Sequence, residues 1–418
     1  MFHEIHPEKQ GPLGQPMAEA VRSCIHCGFC LAVCPTYQEL GEEMDSPRGR
    51  ITLMKEVLEG KLPAVLVQPY VDRCLGCLAC EPACPTGVRY RDLISSYRAM
   101  VEPQRQCSPG VRLRRWLAAA TLPFPARFRV AAWFGRIGRR VRPLVPDALH
   151  AMLDLLPEDI PPARRLEALH PAVGPLRGRV ALLAGCAQQV LDPEINAATI
   201  EMLTANGIEV LVPADQGCCG GLAWHTGDLA AARDSARRNL GAFPAGVDAI
   251  ITNAAGCGST MHEYPLIFRG TPDETRATEF HRRVVDVSVY LARAGLREPL
   301  QNSGGIRRIA YHDACHLANA QGVRAEPRAL LRSIPGAELI ELPDAHLCCG
   351  SAGTYNLDQP AIAAALGRKK AEAVIASGAE VVVSGNIGCL TQLRHHLRRL
   401  GSTISVRHTM QVLRDARP

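Results

Sequence analysis

The sequence predicts an α plus α/β protein: an all-α, cysteine-rich N-terminal domain followed by a duplicated α/β domain. Three observations carry this reading. Two cysteine-dense runs near the N-terminus have helical stretches inserted between and after them. From residue 179 onward, short apolar runs alternate with stretches of helical length. That alternation then recurs, with cysteines and glycines at matching places in each copy.

The first run reads Cys24-Ile-His-Cys27-Gly-Phe-Cys30-Leu-Ala-Val-Cys34-Pro35, and the second Cys74-Leu-Gly-Cys77-Leu-Ala-Cys80-Glu-Pro-Ala-Cys84-Pro85. Each is C-x2-C-x2-C-x3-C-P, the spacing by which bacterial ferredoxins hold two [4Fe–4S] clusters. Three thiolates two residues apart wrap one face of a cluster. The fourth, turned away by proline, is carried to the neighbouring cluster. The rule assigns Cys24, Cys27, Cys30 and Cys84 to one cluster, and Cys74, Cys77, Cys80 and Cys34 to the other. A zinc ribbon would use two C-x2-C pairs without the extra cysteines and prolines. A disulfide framework would require an exported chain.

Residues 1–23 read as an opening helix. Pro47 to Leu58 reads as a helix leading to a linker around Gly60 and Pro63, and residues 89–102 as another helix. Arg48 and Arg50 are candidates for raising cluster potentials, or for a surface or helix-start role. The two-cluster domain is expected over residues 1–107. Residues 108–178 are expected to be a basic aromatic linker, proline-rich from 151. Its nine arginines from Arg112 to Arg142 are interleaved with Trp116, Phe124, Phe128, Trp133 and Phe134. Such a segment suits the headgroup region of an anionic membrane, or a docking surface for a partner. Between Glu102 and Asp147 there are ten arginines and no acidic residue, so the net charge of +6 leaves −4 for the rest. A basic character so local argues against nucleic acid as a partner.

From residue 179, strands are expected at Val180–Ala184, Ile208–Val212 and Ala249–Thr252, with helices at 193–206, capped by Asp192, and at about 222–240. The pattern recurs at Arg308–Tyr311, Glu338–Glu341 and Val381–Ser384. The first repeat is placed at 179–300 and the second at 301–418. Cys186, Cys218, Cys219 and Cys257 fall just past strand ends in the first copy, and Cys315, Cys348, Cys349 and Cys389 in the second. Their spacings agree: 31 and 32 residues lie between the first and second cysteines, 37 and 39 between the third and fourth. Four cysteines at the carboxyl edge of a sheet suffice for a metal ion or an iron–sulfur cluster. Flanking glycines let backbone pass close to such a group. His225, His312, His316 and His346 lie near these cysteines and are candidates to replace one as a ligand.

At 418 residues the chain has room for several domains. The N-terminus lacks an apolar signal core, and no stretch approaches eighteen uninterrupted apolar residues. A cytoplasmic protein, with peripheral contact at the inner membrane, is expected. Its 17 cysteines, an odd number, read as metal ligands, with Cys107 left outside the four groups of four.

The motifs together resemble a family that includes heterodisulfide reductase subunits and the iron–sulfur subunits of anaerobic glycerol-3-phosphate dehydrogenase and bacterial glycolate oxidase. The last is matched over nearly the whole chain. The resembling segments include Cys27-Gly-Phe-Cys30, Cys34-Pro-Thr-Tyr37, Asp45-Ser-Pro-Arg-Gly-Arg50, Gly217-Cys-Cys-Gly220, His346-Leu-Cys-Cys-Gly-Ser-Ala-Gly-Thr-Tyr355 and Asn386-Ile-Gly-Cys389. The resemblance implies a subunit that takes electrons from an FAD-bearing partner oxidising glycolate to glyoxylate, and passes them toward membrane quinone. Lactate or glycerol-3-phosphate dehydrogenase subunits, or a catalytic heterodisulfide reductase-like subunit, are the alternatives. The wider family often ends its repeat in C-x2-C, but Cys257 is followed by Gly-Ser-Thr and Cys389 by Leu-Thr-Gln. A cubane, a zinc ion or an empty repeat therefore all remain open there. No G-x-G-x-x-G follows a strand, so flavin or nucleotide belongs to a partner.

Overall fold

The computed structural model describes residues 3–145, 147–302, 305–345 and 347–418; His346, a candidate ligand, lies outside them. Before residue 156 the described residues form helices and no strand. Helices Gly14–Arg22, Pro47–Leu58 and Tyr90–Val101 bury Met17, Val21, Ile51, Met54, Leu93, Ile94 and Tyr97 in one core. The Pro47–Leu58 helix starts where its sequence directs: Pro47 takes the first turn, and Ser46 Oγ accepts from Gly49 N at 2.9 Å. Ala64–Asp72 is a further helix that the sequence reading passes over, because Pro63 precedes it and Pro69 lies inside it.

The stretch read as a linker is helical over much of its length: Pro109–Thr121, Pro125–Arg140 and Asp147–Leu155. Pro109 and Pro125 open the first two of these helices. Five of the ten arginines are tied into ion pairs, namely Arg105 with Asp72, Arg114 with Asp358, Arg115 with Glu102, Arg136 with Asp159 and Arg142 with Asp154. Arg129 and Arg139 donate to the backbone carbonyls of Gln189 and Leu156. Much of the local charge is thus used inside the molecule.

The C-terminal part contains two sheets. Strands β1 (Leu169–His170), β2 (Gly178–Leu182), β3 (Ile208–Leu211), β4 (Ala249–Thr252) and β5 (Val284–Asp286) form the first, in the order β1-β3-β2-β4-β5. Strands β6 (Arg308–Tyr311), β7 (Glu338–Glu341), β8 (Val381–Ser384) and β9 (Ser405–His408) form the second, in the order β7-β6-β8-β9. All pairings are parallel except that of β1, which lies antiparallel on an edge. Without β1 the two orders are identical. The chain reverses direction across each sheet between its first and third strands, where open α/β sheets form a crevice at the carboxyl edge. Val180, Leu182 and Ile251 share one core with Ile309, Tyr311, Val381 and Val383, so the sheets are packed together.

Two local expectations are corrected. Asp192 does not cap the following helix, which begins at Glu194 after Pro193; its carboxylate instead accepts from Arg394 Nη2 at 2.6 Å and Gln411 Nε2 at 3.0 Å. The helix expected at 222–240 is two, Gly221–Thr226 and Leu229–Ala242. Gly227, at φ 93°, breaks it where the chain meets the N-terminal domain, and a Cβ there would lie 2.5 Å from the Arg98 carbonyl oxygen.

Gly227→Ala combines a left-handed backbone with this clash and is expected to destabilise the protein by about 2 kcal/mol or more. Gly241→Ala, in a helix with open space at its Cβ, is expected to stabilise by up to about 1 kcal/mol. Thermal unfolding of the two variants should shift in opposite directions.

Candidate functional site

The two cysteine runs fold as matching loops. In each, the residues two and four places after the first cysteine have positive φ: His26 at 57° and Gly28 at 86° in one, Gly76 at 64° and Leu78 at 58° in the other. Each left-handed step turns the chain so that successive thiols face one centre. His26 and Leu78 hold this conformation without being glycine, a local strain of the kind found at binding sites. Gly28 is also required for space, since Arg48 Nη1 would lie 2.9 Å from a Cβ there, and that guanidinium donates to His26 O at 3.1 Å.

Two adjacent cavities result. Cys24, Cys27, Cys30 and Cys84 line one, together with Cys80. Cys34, Cys74, Cys77 and Cys80 line the other. The fourth cysteine of each run has therefore crossed to the cavity of the other run. The grouping expected from spacing is the grouping the fold brings together, with Cys80 bordering both. Pro35 opens the short helix Pro35–Leu40, which carries the chain away after Cys34.

Hydroxyls and cations surround the thiols. Thr36 Oγ1 lies 3.3 Å from Cys34 Sγ and Thr86 Oγ1 lies 3.4 Å from Cys84 Sγ. The tripeptide Cys-Pro-Thr recurs in both runs, and that repetition is the signal by which these threonines were findable. Tyr90 Oη is 3.7 Å from Cys74 Sγ and had no comparable signal. Arg50, 1% exposed, donates to Tyr70 O, Thr36 Oγ1 and Asp45 Oδ1, and its Nη1 lies 4.0 Å from Cys34 Sγ. Arg48 and Arg50 are thus both placed at the loops, Arg50 in the interior. Burial pushes the thiols of Cys77 and Cys80 well above their ordinary range and Cys30 up to about 11. At Cys74 burial acts the same way, but the guanidiniums of Arg50 and Arg98 overcome it and hold the thiol below 9.0.

At the carboxyl edge of the sheets the thiols form two equivalent rows. In the first the thiols interact in chain order, Cys186 with Cys218, Cys218 with Cys219 and Cys219 with Cys257. The second row runs Cys315, Cys348, Cys349, Cys389, with Cys315 and Cys348 Sγ 4.0 Å apart. Interaction with the neighbouring thiols, together with burial, holds Cys186, Cys219, Cys348 and Cys389 well above the ordinary thiol range. Loading a cation here would release protons. Gly220 and Gly350, at φ 84° and 86°, complete each Cys-Cys-Gly turn; a Cβ on Gly350 would lie 2.6 Å from Ala363 O. Gly220 N and Gly221 N donate to Cys218 and Cys219 Sγ, both at 3.4 Å. Clustered thiols, half of them buried, with backbone donors aimed at sulfur fit iron–sulfur clusters in both parts of the molecule.

The two parts touch at the second loop. A π-helical turn, His316–Ala320, follows Cys315 directly. His316 Nε2 lies 3.0 Å from Gly76 O, Asn319 Nδ2 donates to Cys77 O at 3.1 Å, and Arg91 Nη1 donates to Ala320 O at 3.0 Å. Cys77 and Cys315 border one apolar cluster with Cys348. His225 and His316 meet edge to face at 5.2 Å between their ring centroids, partly buried between the two parts.

Comparison with known proteins agrees with this geometry. The family described as "4Fe-4S dicluster domain" matches residues 20–88, and "Cysteine-rich domain" matches residues 180–262 and 309–394. The chain is 37% identical over 402 residues to the glycolate oxidase iron-sulfur subunit of Escherichia coli K12, covering 95% of this chain and 94% of that one. The chain belongs to the family of glycolate oxidase iron–sulfur subunits. A probable glycolate oxidase iron-sulfur subunit of Bacillus subtilis is 36% identical over 415 residues, covering 94% of this chain and 93% of that one. Lactate utilization protein A of Oceanobacillus iheyensis is 31% identical over 241 residues, which is 57% of this chain and 98% of that one. Membership of the family makes the chain an iron–sulfur oxidoreductase subunit, with the dicluster domain accounting for [4Fe–4S] clusters.

Arg50→Met would leave buried Asp45 with Arg73 as its remaining cation, at 2.8 Å. The expected cost is about 3 kcal/mol, with a more negative midpoint potential for the cluster beside Cys34. Redox titration followed by electron paramagnetic resonance checks this. A pH effect is expected at Glu263, whose carboxyl is raised by burial to about 7 from 4.5, although Trp224 Nε1 donates to it at 2.6 Å. The folded state binds this proton more tightly, so the stability it contributes is complete below 4.5 and lost as pH rises through about 7. Glu263→Gln should therefore be more stable than the parent at about pH 8, by roughly 1–3 kcal/mol, with the difference shrinking toward about pH 5.

Proposed function

We propose that this chain is the electron-transfer subunit of a complex in which an FAD-bearing partner oxidises glycolate to glyoxylate, and that it passes the electrons toward membrane quinone. The observation that carries the reading is the crossing of Cys34 and Cys84, which gives each of two neighbouring cavities a thiol from the other run, beside a second pair of thiol rows. On this reading Cys24, Cys27, Cys30 and Cys84 hold one [4Fe–4S] cluster, and Cys34, Cys74, Cys77 and Cys80 the other. Cys186, Cys218, Cys219 and Cys257, with Cys315, Cys348, Cys349 and Cys389, hold centres in the repeats. When bound, the clusters supply one-electron acceptors. The chain's own residues hold them at fixed separations, exclude water and set potentials through Arg50, Arg98 and the hydroxyls at sulfur. The division of labour follows the expected boundaries: a dicluster domain to 107, a docking segment at 108–178, and repeats at 179–300 and 301–418. The names of the E. coli and B. subtilis relatives support glycolate as the partner's substrate.

The docking segment supports peripheral membrane contact. Trp116, Trp133 and Phe134 are 63%, 55% and 59% exposed, Val130 and Leu144 are exposed as well, and no carboxylate lies between residues 103 and 146. Among the described residues no helix is long and apolar enough to cross a membrane. Arg112, Arg127 and Arg140 are exposed on the same segment, so contact with anionic lipid would rest mainly on apolar burial, with a modest salt dependence.

The test is anaerobic purification of the tagged full chain from its native cells. A flavoprotein is expected to accompany it, and glycolate is expected to reduce the clusters of the purified complex. A preparation without flavoprotein, or clusters reduced by lactate but not glycolate, overturns the assignment. Vesicles containing anionic lipid should co-float the parent and lose a Trp116→Ser/Trp133→Ser double variant several-fold.

A further inference from the structure

The two repeats correspond residue for residue along the strand leading to their first cysteine. Val180, Ala181 and Leu182 of β2 pair with Ala249, Ile250 and Ile251 of β4, and Leu183 N then donates to Ile251 O at 2.9 Å. Ile309, Ala310 and Tyr311 of β6 pair with Val381, Val382 and Val383 of β8, and His312 N then donates to Val383 O at 2.8 Å. Leu183 and His312 therefore occupy one position, three residues before Cys186 and Cys315. Both are 1% exposed. The first repeat fills the position with an apolar side chain, the second with an imidazole.

That imidazole faces a thiol, Cys349, and keeps one ring nitrogen unpaired. His312 Nδ1 is buried and lacks a hydrogen-bond partner in the structure. A ring nitrogen of His312, Cys349 Sγ and Cys389 Sγ all lie within 4.8 Å of one another. Among the described residues, no other three His, Cys, Asp or Glu donors converge so closely. Metal–sulfur bonds of about 2.3 Å in a tetrahedral shell place donor atoms about 3.8 Å apart, so three donors this close can share a single metal atom. Cys315 and Cys348 stand beside them, and Asn386 Nδ2 donates to Cys389 Sγ at 3.5 Å.

We propose that the second repeat binds its iron–sulfur centre through His312 as well as Cys315, Cys348, Cys349 and Cys389, whereas the first repeat, with Leu183, binds its centre by thiolate alone. The inference rests on the reading of the repeats as iron–sulfur sites and adds a difference between them. Both repeats supply four thiolates, so His312 is a fifth, neutral donor that the first repeat lacks and gives the second centre a spectroscopic and redox character of its own. The second repeat is also the one whose Cys315 borders the Cys77 loop.

The test uses the full chain, produced with either natural or 15N-labelled histidine, loaded anaerobically with ferrous iron and sulfide and reduced in steps. Pulsed electron paramagnetic resonance should show one centre with strong coupling to a single nitrogen that changes with the label. The coupling should be lost in His312→Leu and in His312→Gln. It should persist in His316→Gln. Absence of a strongly coupled histidine nitrogen in the parent, or its survival in either His312 variant, overturns the proposal while leaving the repeats as iron–sulfur sites. Iron that stops at the content of two [4Fe–4S] clusters, or zinc at the second repeat, overturns both readings.

Discussion

The arrangement depends on how the loop from Cys74 to Cys80 is held. A loop that turns its N–H groups and thiols inward leaves its carbonyls without partners, and these are met from elsewhere in the molecule. Arg98 supplies two of the bonds, donating to Val71 O and Cys74 O, and a third from the same guanidinium reaches His225 O. His316 and Asn319 meet the carbonyls of Gly76 and Cys77, and Tyr355 Oη donates to Arg73 O at 2.8 Å. Each bond is worth only about 1 kcal/mol net, but leaving any of those buried carbonyls unpaired costs more. The loop, the first repeat and the second repeat are thereby fixed against one another. Fixed separation is what a relay of electrons requires, so the same contacts serve folding and function.

The thiols were legible because cysteine spacing is a covalent statement about how far a chain can reach around a cluster. The crossing of Cys34 and Cys84, and the equivalence of the two Cys-Cys-Gly turns, followed from spacing and repetition. The strands at the centres of the sheets were legible too, as short apolar runs. β5 and β9 were not, because each leads straight into a helix, at Val287 and Thr409, with no turn between. Ala64–Asp72 was disguised by its prolines, and the break at Gly227 answers to the Arg98 carbonyl, which is remote in sequence. His26 and Leu78 show the same limit. Their left-handed backbone is imposed by the cluster loop, and neither residue type advertises it.

The arginine-rich segment shows why charge counts mislead about surfaces. In sequence it reads as a basic linker. In the fold it is helical, and its guanidiniums reach Asp72, Glu102, Asp159 and Asp358 or cap backbone carbonyls, so the charge holds these helices to the rest of the chain. What remains outward is a mixture of aromatic and aliphatic side chains, with Arg127 stacked over Phe124 at 4.3 Å. The exposed character of the segment is therefore apolar with a thin basic rim.

The exchange of cysteines between the two cavities has a consequence for how such a protein matures. Each cavity takes one thiol from the other run, so neither can be completed until both loops are in place. Displacing either loop should therefore loosen the pocket of its twin.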